Sequence, residues 1–434
     1  MAQFRKDRHE YLPDGKTIFE VVMLSDQYGN LIGPANPSGV AVDAFGRARQ
    51  SQPLTLFDSF HRYEENQKFS TANTAGGSTT YDSNQATVNL IVNGTSGAKV
   101  QRETNRVFAY QPGKSLLIMN TFVMNEPQAN LAQRVGYFND NNGVYLEQTG
   151  STIRFVLKSS VSGSVEYTYA NQASWNIDTL LGAVASSPSQ RTLDLTKAQI
   201  FWSDIEWLGV GSVRCGFVID GQLIHCHTFH HANRIDTTYM TTACLPVRYE
   251  IENTDTEASS ATLKQICTTV ISEGGYEIRG KPRAYGQEPA NQRALTVAGT
   301  YYPVISIRLK STKLDGIAVP KAIDIAPINQ AVYKYKLISG ATITGAAWAN
   351  TGADSVVEYD ANNASTMSGG TVLSSGLIQA TNQSAASVTL DGDIFLYQLE
   401  RNGLSNTATV FTLAITCGTA TSNVIANMDW QEFT

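Results

Sequence analysis

Short runs of alternating or β-branched apolar residues, bounded by Gly, Asn, Asp and Ser, recur along the whole sequence. Few segments keep the helical i, i+3, i+4, i+7 apolar spacing long enough for a substantial helix, and Trp175 to Ala185 is the main candidate. The clearest strand-like runs are Ala86–Val92, Thr152–Val156, Val213–Ile219, Leu263–Ile271, Tyr302–Leu309, Ala331–Ile338 and Thr409–Ile415. These runs predict a mainly β protein made of sandwich-type layers.

Composition divides the chain into three regions. Residues 1–81 carry few strand signals and end in a polar Gly/Ser/Thr stretch, NQKFSTANTAGGSTTYD, which is typical of an extended arm or linker. Residues 82–280 are strand-rich, and we expect a first β-sandwich domain there. Arg279 to Gln292 gathers Pro, Gly and charge, which marks a boundary before a C-terminal β domain over residues 281–434.

Charge and hydropathy argue against several classes of partner and location. The 434 residues carry a formal net charge of −6 with no long basic run, so we expect no nucleic-acid partner. No stretch approaches the ~18 apolar residues of a membrane span, and the segment MAQFRKDRHEYLPDGK lacks the apolar core of a signal peptide. Without export we expect reduced thiols at Cys215, Cys226, Cys244, Cys267 and Cys417.

The segment Ile200–His231 holds the densest set of chemically active side chains. Asp220-Gly221 lies between two strand-like runs and predicts a hairpin with a type I′ turn. Counting outward from the turn pairs Ile219 with Gln222 and sets Cys215 opposite Cys226. The apolar face of this hairpin is predicted to be core, and two buried, reduced thiols are favoured over a cross-strand disulfide.

The opposite face of the predicted hairpin carries histidines. Strand parity places on it the residues Arg214, Gly216, Val218, Leu223, His225, His227 and His231. A His-x-His pair on one face can hold a single metal ion, and three copies of it would suffice in a trimer. The alternative is a half-exposed strand whose histidines make local hydrogen bonds. No carboxylate or thiolate stands at ligand spacing, so we expect no metal site.

Trp202, Asp204 and Glu206 alternate along a predicted strand and project from one face. The stretch WSDIEWLG resembles the E-x-D-x-E active-site strand of laminarinase-type jelly-roll hydrolases. In that family the first Glu is the nucleophile, and Trp202 occupies its position here. The resemblance therefore implies a lectin-like sandwich without hydrolytic activity. Trp202 and Trp207 are then either core residues, as aromatics at strand spacing more often are, or platforms on which a sugar ring stacks.

Longer segments resemble structural proteins of tailed bacteriophage virions, particularly those of large aquatic phages. They are Val42–Tyr63, Gln133–Glu147, Leu193–Asn233, Leu245–Asn253, Leu263–Gly275, Ile305–Thr312 and Val357–Asp360. The resemblance implies a non-enzymatic, multi-copy subunit of a tail, baseplate, fibre or capsid surface, located in the virion. Its partners would be copies of itself and neighbouring virion proteins. The alternative is a host-glycan binding module of a tail appendage, and a polysaccharide depolymerase is the least favoured interpretation. We expect no cofactor and no catalytic residue.

Overall fold

The computed structural model describes residues 51–255, 259–277, 279–381, 386–390 and 395–433, and the backbone of residues 9–11 and 18–20. The chain divides into two units, Met1–Gln52 and Pro53–Thr434. In the first unit, strand β1 (His9–Tyr11) pairs antiparallel with β2 (Ile18–Glu20). The rest of the predicted N-terminal arm up to residue 50 lies outside the described residues.

The first half of the second unit contains two antiparallel sheets. Their strands are β3 (Leu54–Ser59), β4 (Phe69–Thr74), β5 (Gly77–Asp82), β6 (Thr87–Val92), β7 (Lys99–Thr104), β8 (Leu116–Val123), β9 (Leu131–Phe138), β10 (Gly143–Thr149), β11 (Thr152–Ser159), β12 (Glu166–Asn171), β13 (Gln199–Ile205), β14 (Val213–Ile219), β15 (Gln222–Phe229), β16 (Val247–Asn253) and β17 (Ala261–Ser272).

These strands form a seven-stranded sheet in the order β12-β11-β10-β9-β16-β7-β4 and an eight-stranded sheet in the order β15-β14-β13-β8-β17-β6-β5, with β3 paired to β17. Alternate side chains of both sheets meet in one buried core. Phe155 of β11 lies 5.7 Å from Phe201 of β13 and 4.2 Å from Trp175, between ring centroids. This first sandwich therefore closes through aromatic contacts between its sheets.

The second half of this unit repeats the two-layer plan. Its strands are β18 (Lys281–Gly286), β19 (Arg293–Leu295), β20 (Tyr302–Leu309), β21 (Ile317–Pro327), β22 (Val332–Ser339), β23 (Thr342–Thr344), β24 (Ala349–Asn350), β25 (Val357–Asp360), β26 (Thr366–Ser368), β27 (Thr371–Gln379), β28 (Ala386–Thr389), β29 (Arg401–Asn402), β30 (Thr407–Ala408), β31 (Phe411–Cys417) and β32 (Ser422–Phe433).

The larger sheets of this second sandwich run β18-β32-β21-β28, with β19 on β32, and β24-β25-β20-β31-β22-β27. Two short antiparallel pairs, β23-β26 and β29-β30, accompany them. A separate core forms around Tyr333, Leu413 and Trp430, all of which are buried. The prediction of a mainly β chain with two sandwich regions is confirmed.

The predicted helix from Trp175 to Ala185 is wrong. The helical elements in the described part of the chain are 3₁₀ turns at Gln172–Ser174 and Ser311–Lys313, and none is long and apolar enough to span a membrane. After the first turn the chain lies along β15 instead. The backbone N–H groups of Ile177 and Asp178 both donate to the carbonyl of Cys226, at 3.0 and 3.1 Å. These tertiary hydrogen bonds take the place of helical ones.

The prediction that the polar stretch leading up to Tyr81 is a linker is also wrong, because most of it forms strands. β4 and β5 form strands joined by a turn at Ala75-Gly76, where both φ angles are positive at 48° and 92°. β4 pairs with β7 and β5 pairs with β6, so this polar stretch supplies an edge strand to each sheet of the first sandwich. Pairing with the neighbouring strands β6 and β7 overrides its weak intrinsic strand preference.

Candidate functional site

The segment that resembles a hydrolase strand is β13. Phe201, Ser203 and Ile205 face the core, since they pair with Phe217, Cys215 and Val213 of β14. Trp202 and Asp204 lie on the outer face, opposite Gly216 and Arg214. Glu206 follows the end of the strand and is exposed. The predicted alternation is confirmed for Trp202 and Asp204, and it places them on the outer face of the eight-stranded sheet.

Trp202 does not present a stacking surface. Its side chain is 3% exposed although it lies on the outer face, and its Nε1–H donates to the carbonyl of Phe217 at 3.3 Å. The indole lies over Gly216, where a Cβ atom would come within 2.7 Å of the ring, and beside His225 at 5.8 Å. A sugar ring needs an open aromatic face, so the structure favours the packing role for Trp202 over the alternative of glycan stacking.

Trp207, the other tryptophan predicted to stack, is half-buried. Its Nε1–H donates to the carbonyl of Met240 at 3.3 Å. The ring of Tyr110 meets it edge to face, with centroids 5.9 Å apart. Both contacts hold the indole against the first sandwich, so its role in the described structure is packing.

Asp204 is held in an ion pair. Arg214 bonds one carboxylate oxygen, and the side chain of Asp204 is 4% exposed. The other oxygen, Oδ1, has no hydrogen-bond partner among the described residues. Burial raises the pKa of Asp204 to about 6, and the nearby Arg214 charge only partly offsets this increase. The carboxyl is thus a buried group tied to a guanidinium.

The hairpin predicted around Asp220-Gly221 forms with the expected turn, since both residues have positive φ, 52° and 74°. Ile219 pairs with Gln222 and Phe217 with Ile224, as predicted. The prediction that Cys215 lies opposite Cys226 is wrong, because the register shifts between Cys215 and Gly216 and pairs Cys215 with His227. Cys226 is the extra residue of a β-bulge, and its carbonyl accepts the two N–H groups from the segment before it.

The bulge separates the two histidines that parity had placed together. His225 pairs with Gly216 on the outer face, whereas His227 pairs with Cys215 on the core face. The prediction that His225 and His227 share one face is therefore wrong, and the hypothesis of one ion held by both from that face loses its geometry. His225 Nε2 lies 2.8 Å from the hydroxyl of Thr228, and His227 Nδ1 accepts the N–H of Asn176 at 3.3 Å. Burial lowers the pKa of His227 to about 4.

The five cysteines are free thiols. Burial raises the pKa of the Cys215 and Cys226 thiols, so both stay protonated near neutral pH. In the part of the chain that the structure describes, no group of three His, Cys, Asp or Glu side chains is placed to hold a metal ion. The histidines of this hairpin make local hydrogen bonds, and its two thiols pack in the core.

A cavity of about 520 Å³ opens at another place in the first sandwich, which the sequence reasoning did not identify. It lies where β11 and β12 of one sheet face the end of β15 and the loop that follows it. Its walls are Leu157, Ser159, Val161, Ser162, Glu166, Thr168, Phe229, His230, His231, Ile235, Thr237, Thr238 and Tyr239. Of the residues singled out in the sequence, only His231 contributes to it.

Comparison with known proteins finds no matching family model and no matching curated protein. Solved structures match about half of the chain. The carbohydrate recognition domain of Emp47p is 9% identical with a TM-score of 0.32, over 50% of this chain and 94% of that one. The β-glucanase of Bacillus licheniformis is 11% identical with a TM-score of 0.32, over 51% and 98%. A carbohydrate esterase from the Shiga toxin-encoding bacteriophage phi24B is 12% identical with a TM-score of 0.29, over 51% and 99%. At such low identities and TM-scores, these likenesses say nothing about the activity of this chain.

Proposed function

We propose that this protein is a non-enzymatic structural subunit of a tailed-phage virion, present in several copies in a tail, baseplate, fibre or capsid-surface structure. The resemblance of seven sequence segments to such proteins suggests the particle. The observation that carries the proposal is an unprotected sheet edge in the second sandwich, formed by β27.

β27 is the longest edge strand in the described sheets. Its nine residues, TVLSSGLIQ, include no charged residue and no proline. β22 pairs with one side of it, and no described strand pairs with the other. Leu373 and Leu377 are 43% and 71% exposed, and Val332 of the adjacent β22 is 47% exposed. Soluble proteins normally protect such an edge with charge, proline or a covering segment, because it is a template for pairing with another chain.

Another edge of the same unit shows such protection. β15 ends the eight-stranded sheet, and the segment after the first 3₁₀ turn covers it through Ile177 and Asp178. The side chain of Asn176 adds hydrogen bonds to both the N–H and the carbonyl of Thr228. The contrast supports a second copy of the chain as the natural cover of β27, joined by main-chain hydrogen bonds and by the exposed leucines.

The absence of enzymatic activity is part of the proposal. The strand that resembles a hydrolase strand has Trp202 at the nucleophile position and binds Asp204 to Arg214. Glu206 is left as an exposed carboxylate beyond the strand end. A glycosidase needs two carboxyl groups flanking the scissile bond, and here one of the pair is engaged by a cation. The alternative of a host-glycan module on this face loses its aromatic platform, because Trp202 is buried.

Sedimentation of the full chain tests the assembly. Wild-type protein is expected to form a defined homo-oligomer, and Leu377→Lys is expected to reduce it to smaller species, because a charge on the edge opposes strand pairing. Leu396→Lys is the matched control, since Leu396 is 52% exposed but lies outside β27. A wild-type chain that stays monomeric at every concentration, or an unchanged oligomer in Leu377→Lys, contradicts this interface.

Location in the particle needs a separate experiment. Purified virions labelled with an antibody to this chain should show the label at one fixed structure in electron micrographs. An absence of label on intact and on mildly disrupted virions would contradict the virion role even if the isolated chain is oligomeric.

A further inference from the structure

The cavity of the first sandwich lies between its two sheets, at an edge where they separate. Pairing of β11 with β12 sets Leu157 opposite Thr168 and Ser159 opposite Glu166. Leu157 and Ser159 lie two and four residues after Phe155, which is fully buried in the core. The pleat therefore assigns these two residues and their partners on β12 to the core-facing side of the sheet. Inward-facing positions of a closed sandwich are normally apolar.

Three of these inward positions are polar, and water reaches them. Glu166 and Thr168 are exposed and Ser159 is half-buried. The side chains of Glu166, Thr168 and Thr237 make no hydrogen bond or ion pair with another residue in the described part of the chain. These side chains are therefore hydrated in the free protein, and a ligand that enters the space between the sheets can replace that water with direct hydrogen bonds.

The opposite side of the cavity is apolar and aromatic. Leu157 and Phe229 are 5% and 6% exposed, and the rings of His231 and Tyr239 stack 4.1 Å apart at 9°. His231 Nδ1–H donates to the carbonyl of Gly211 at 2.6 Å, which leaves Nε2 as an acceptor in the neutral ring. Burial lowers the pKa of His231, so the ring stays neutral at neutral pH.

From this arrangement we propose that the cavity between β12 and the loop after β15 binds one saccharide unit, a site independent of the assembly role. A sugar ring combines an apolar C–H face with a rim of hydroxyls. The buried wall offers dispersion contacts to that face rather than a stacking platform, and the exposed hydroxyl and carboxylate groups offer hydrogen bonds to the rim. The volume of about 520 Å³ is within the range of small-ligand sites.

Charge narrows the class of sugar. Glu166 is the sole acidic residue of the cavity wall, and the wall contains no lysine or arginine. A carboxylate accepts hydrogen bonds from sugar hydroxyls or amines but repels a second carboxylate. The site therefore takes neutral hexoses, N-acetylhexosamines or amino sugars, and it excludes uronic acids.

Ligand-observed NMR on the full chain tests the site with methyl glycosides of glucose, galactose, mannose, N-acetylglucosamine, glucosamine and glucuronic acid. At least one neutral or amino glycoside is expected to bind with a Kd of about 1 mM, typical of a single small ligand, and the glucuronide is expected not to bind. Failure of every glycoside to bind, or binding of the glucuronide alone, would overturn the proposal.

Variants locate the binding. Thr168→Trp fills the cavity and should abolish the signal, whereas Thr80→Trp places the same side chain at an exposed threonine of β5 and should leave the affinity unchanged. Thr168→Val keeps the shape but removes the hydroxyl, with an expected loss of about three- to tenfold. Equal affinities in the wild type and both Thr168 variants, each folded by near-ultraviolet circular dichroism, would place the site elsewhere and overturn the proposal.

Two further experiments test which charge the sugar carries and whether it belongs to a glycan chain. Glu166→Gln removes the repelling charge, so methyl glucuronide should bind this variant within a few-fold of methyl glucoside; continued exclusion would overturn the charge argument. Soluble glucan and mannan then compete with the bound glycoside. Competition identifies the end of a glycan chain as the source of the sugar, and its absence identifies a free saccharide; either result retains the saccharide site.

Discussion

Glu103 joins the two sandwiches through buried charge. It lies on β7, is 1% exposed and accepts hydrogen bonds from Arg248 of the first sandwich through Nε at 2.9 Å and Nη2 at 2.6 Å. Its other oxygen accepts Nη1–H of Arg401 in β29, at 2.5 Å. The side chains of both arginines are 3% exposed, so this one carboxylate balances two buried guanidinium groups.

Glu103→Gln is expected to destabilise the chain by about 3–5 kcal/mol, because it removes the one buried carboxylate that two buried guanidinium groups share. The glutamine side chain retains one acceptor oxygen and presents an NH₂ group to the other guanidinium. Each charge-assisted hydrogen bond contributes about 1.5–3 kcal/mol, so the loss of one bond and the new donor–donor contact agree with that range. Asp140 and Asp315 still pair with Arg248 and Arg401, which keeps the expected loss below complete unfolding.

Urea unfolding followed by tryptophan fluorescence measures this loss. With an m value of about 3 kcal/mol per molar urea, the midpoint should fall by about 1 M or more. The matched control is Glu277→Gln, because Glu277 pairs with Arg279 in an exposed ion pair and should contribute at most about 1 kcal/mol. A Glu103→Gln variant within about 1 kcal/mol of wild type would refute the reasoning, since it would mean that water or other groups already balance the two arginines.

Three other substitutions probe the candidate face and the buried histidine, each by unfolding measurements. Gly216→Ala should cost about 1–3 kcal/mol, because its Cβ would lie 2.7 Å from the Trp202 ring and against the Ile224 carbonyl, whereas Gly418→Ala, with its nearest contact at 3.7 Å, should change little. Asp204 has a pKa raised from 3.8 to about 6, so the native state holds its proton more tightly and stability falls as pH rises from 4 to 6; Asp204→Asn should remove that part of the fall, about 3 kcal/mol at most. His61, with a pKa lowered from 6.5 to about 4, has the opposite sign: stability falls as pH drops from 6.5 to 4, and a His61→Asn chain with an unchanged acid slope would contradict the assignment.

The strand layout could be predicted from the sequence because it depends on local signals. The run Tyr302–Leu309 was predicted with the bounds that the structure has, and Asp220-Gly221 forms the turn that its residue types require. Apolar alternation and turn chemistry are properties of neighbouring residues, so they survive folding. The same local logic failed for β4 and β5, whose polar residues become strands only because β6 and β7 offer partners.

The bulge at Cys226 shows how one tertiary contact defeats a correct local pattern. The alternation of β15 predicts two histidines on one face, and every pair up to Phe217–Ile224 follows the predicted register. The carbonyl of Cys226 then turns toward the N–H groups of Ile177 and Asp178, which lie far away in sequence. One inserted residue shifts the parity of all later positions in a strand, and so His227 moves to the core face.

The cavity escaped prediction for a related reason. In β12 the alternating residues are Tyr167 and Tyr169 on one face and Glu166 and Thr168 on the other, and apolar alternation alone favours burying the tyrosines. In the structure residues 166–169 are all exposed: the two tyrosines, at 46% and 49% exposure, stack 5.9 Å apart and lie over Lys158 and Arg154. Cation–π contacts with β11 stabilise them outside, which leaves the polar residues facing inward. The orientation of β12 thus depends on the cationic side chains of the neighbouring strand, and alternation within β12 alone does not encode it.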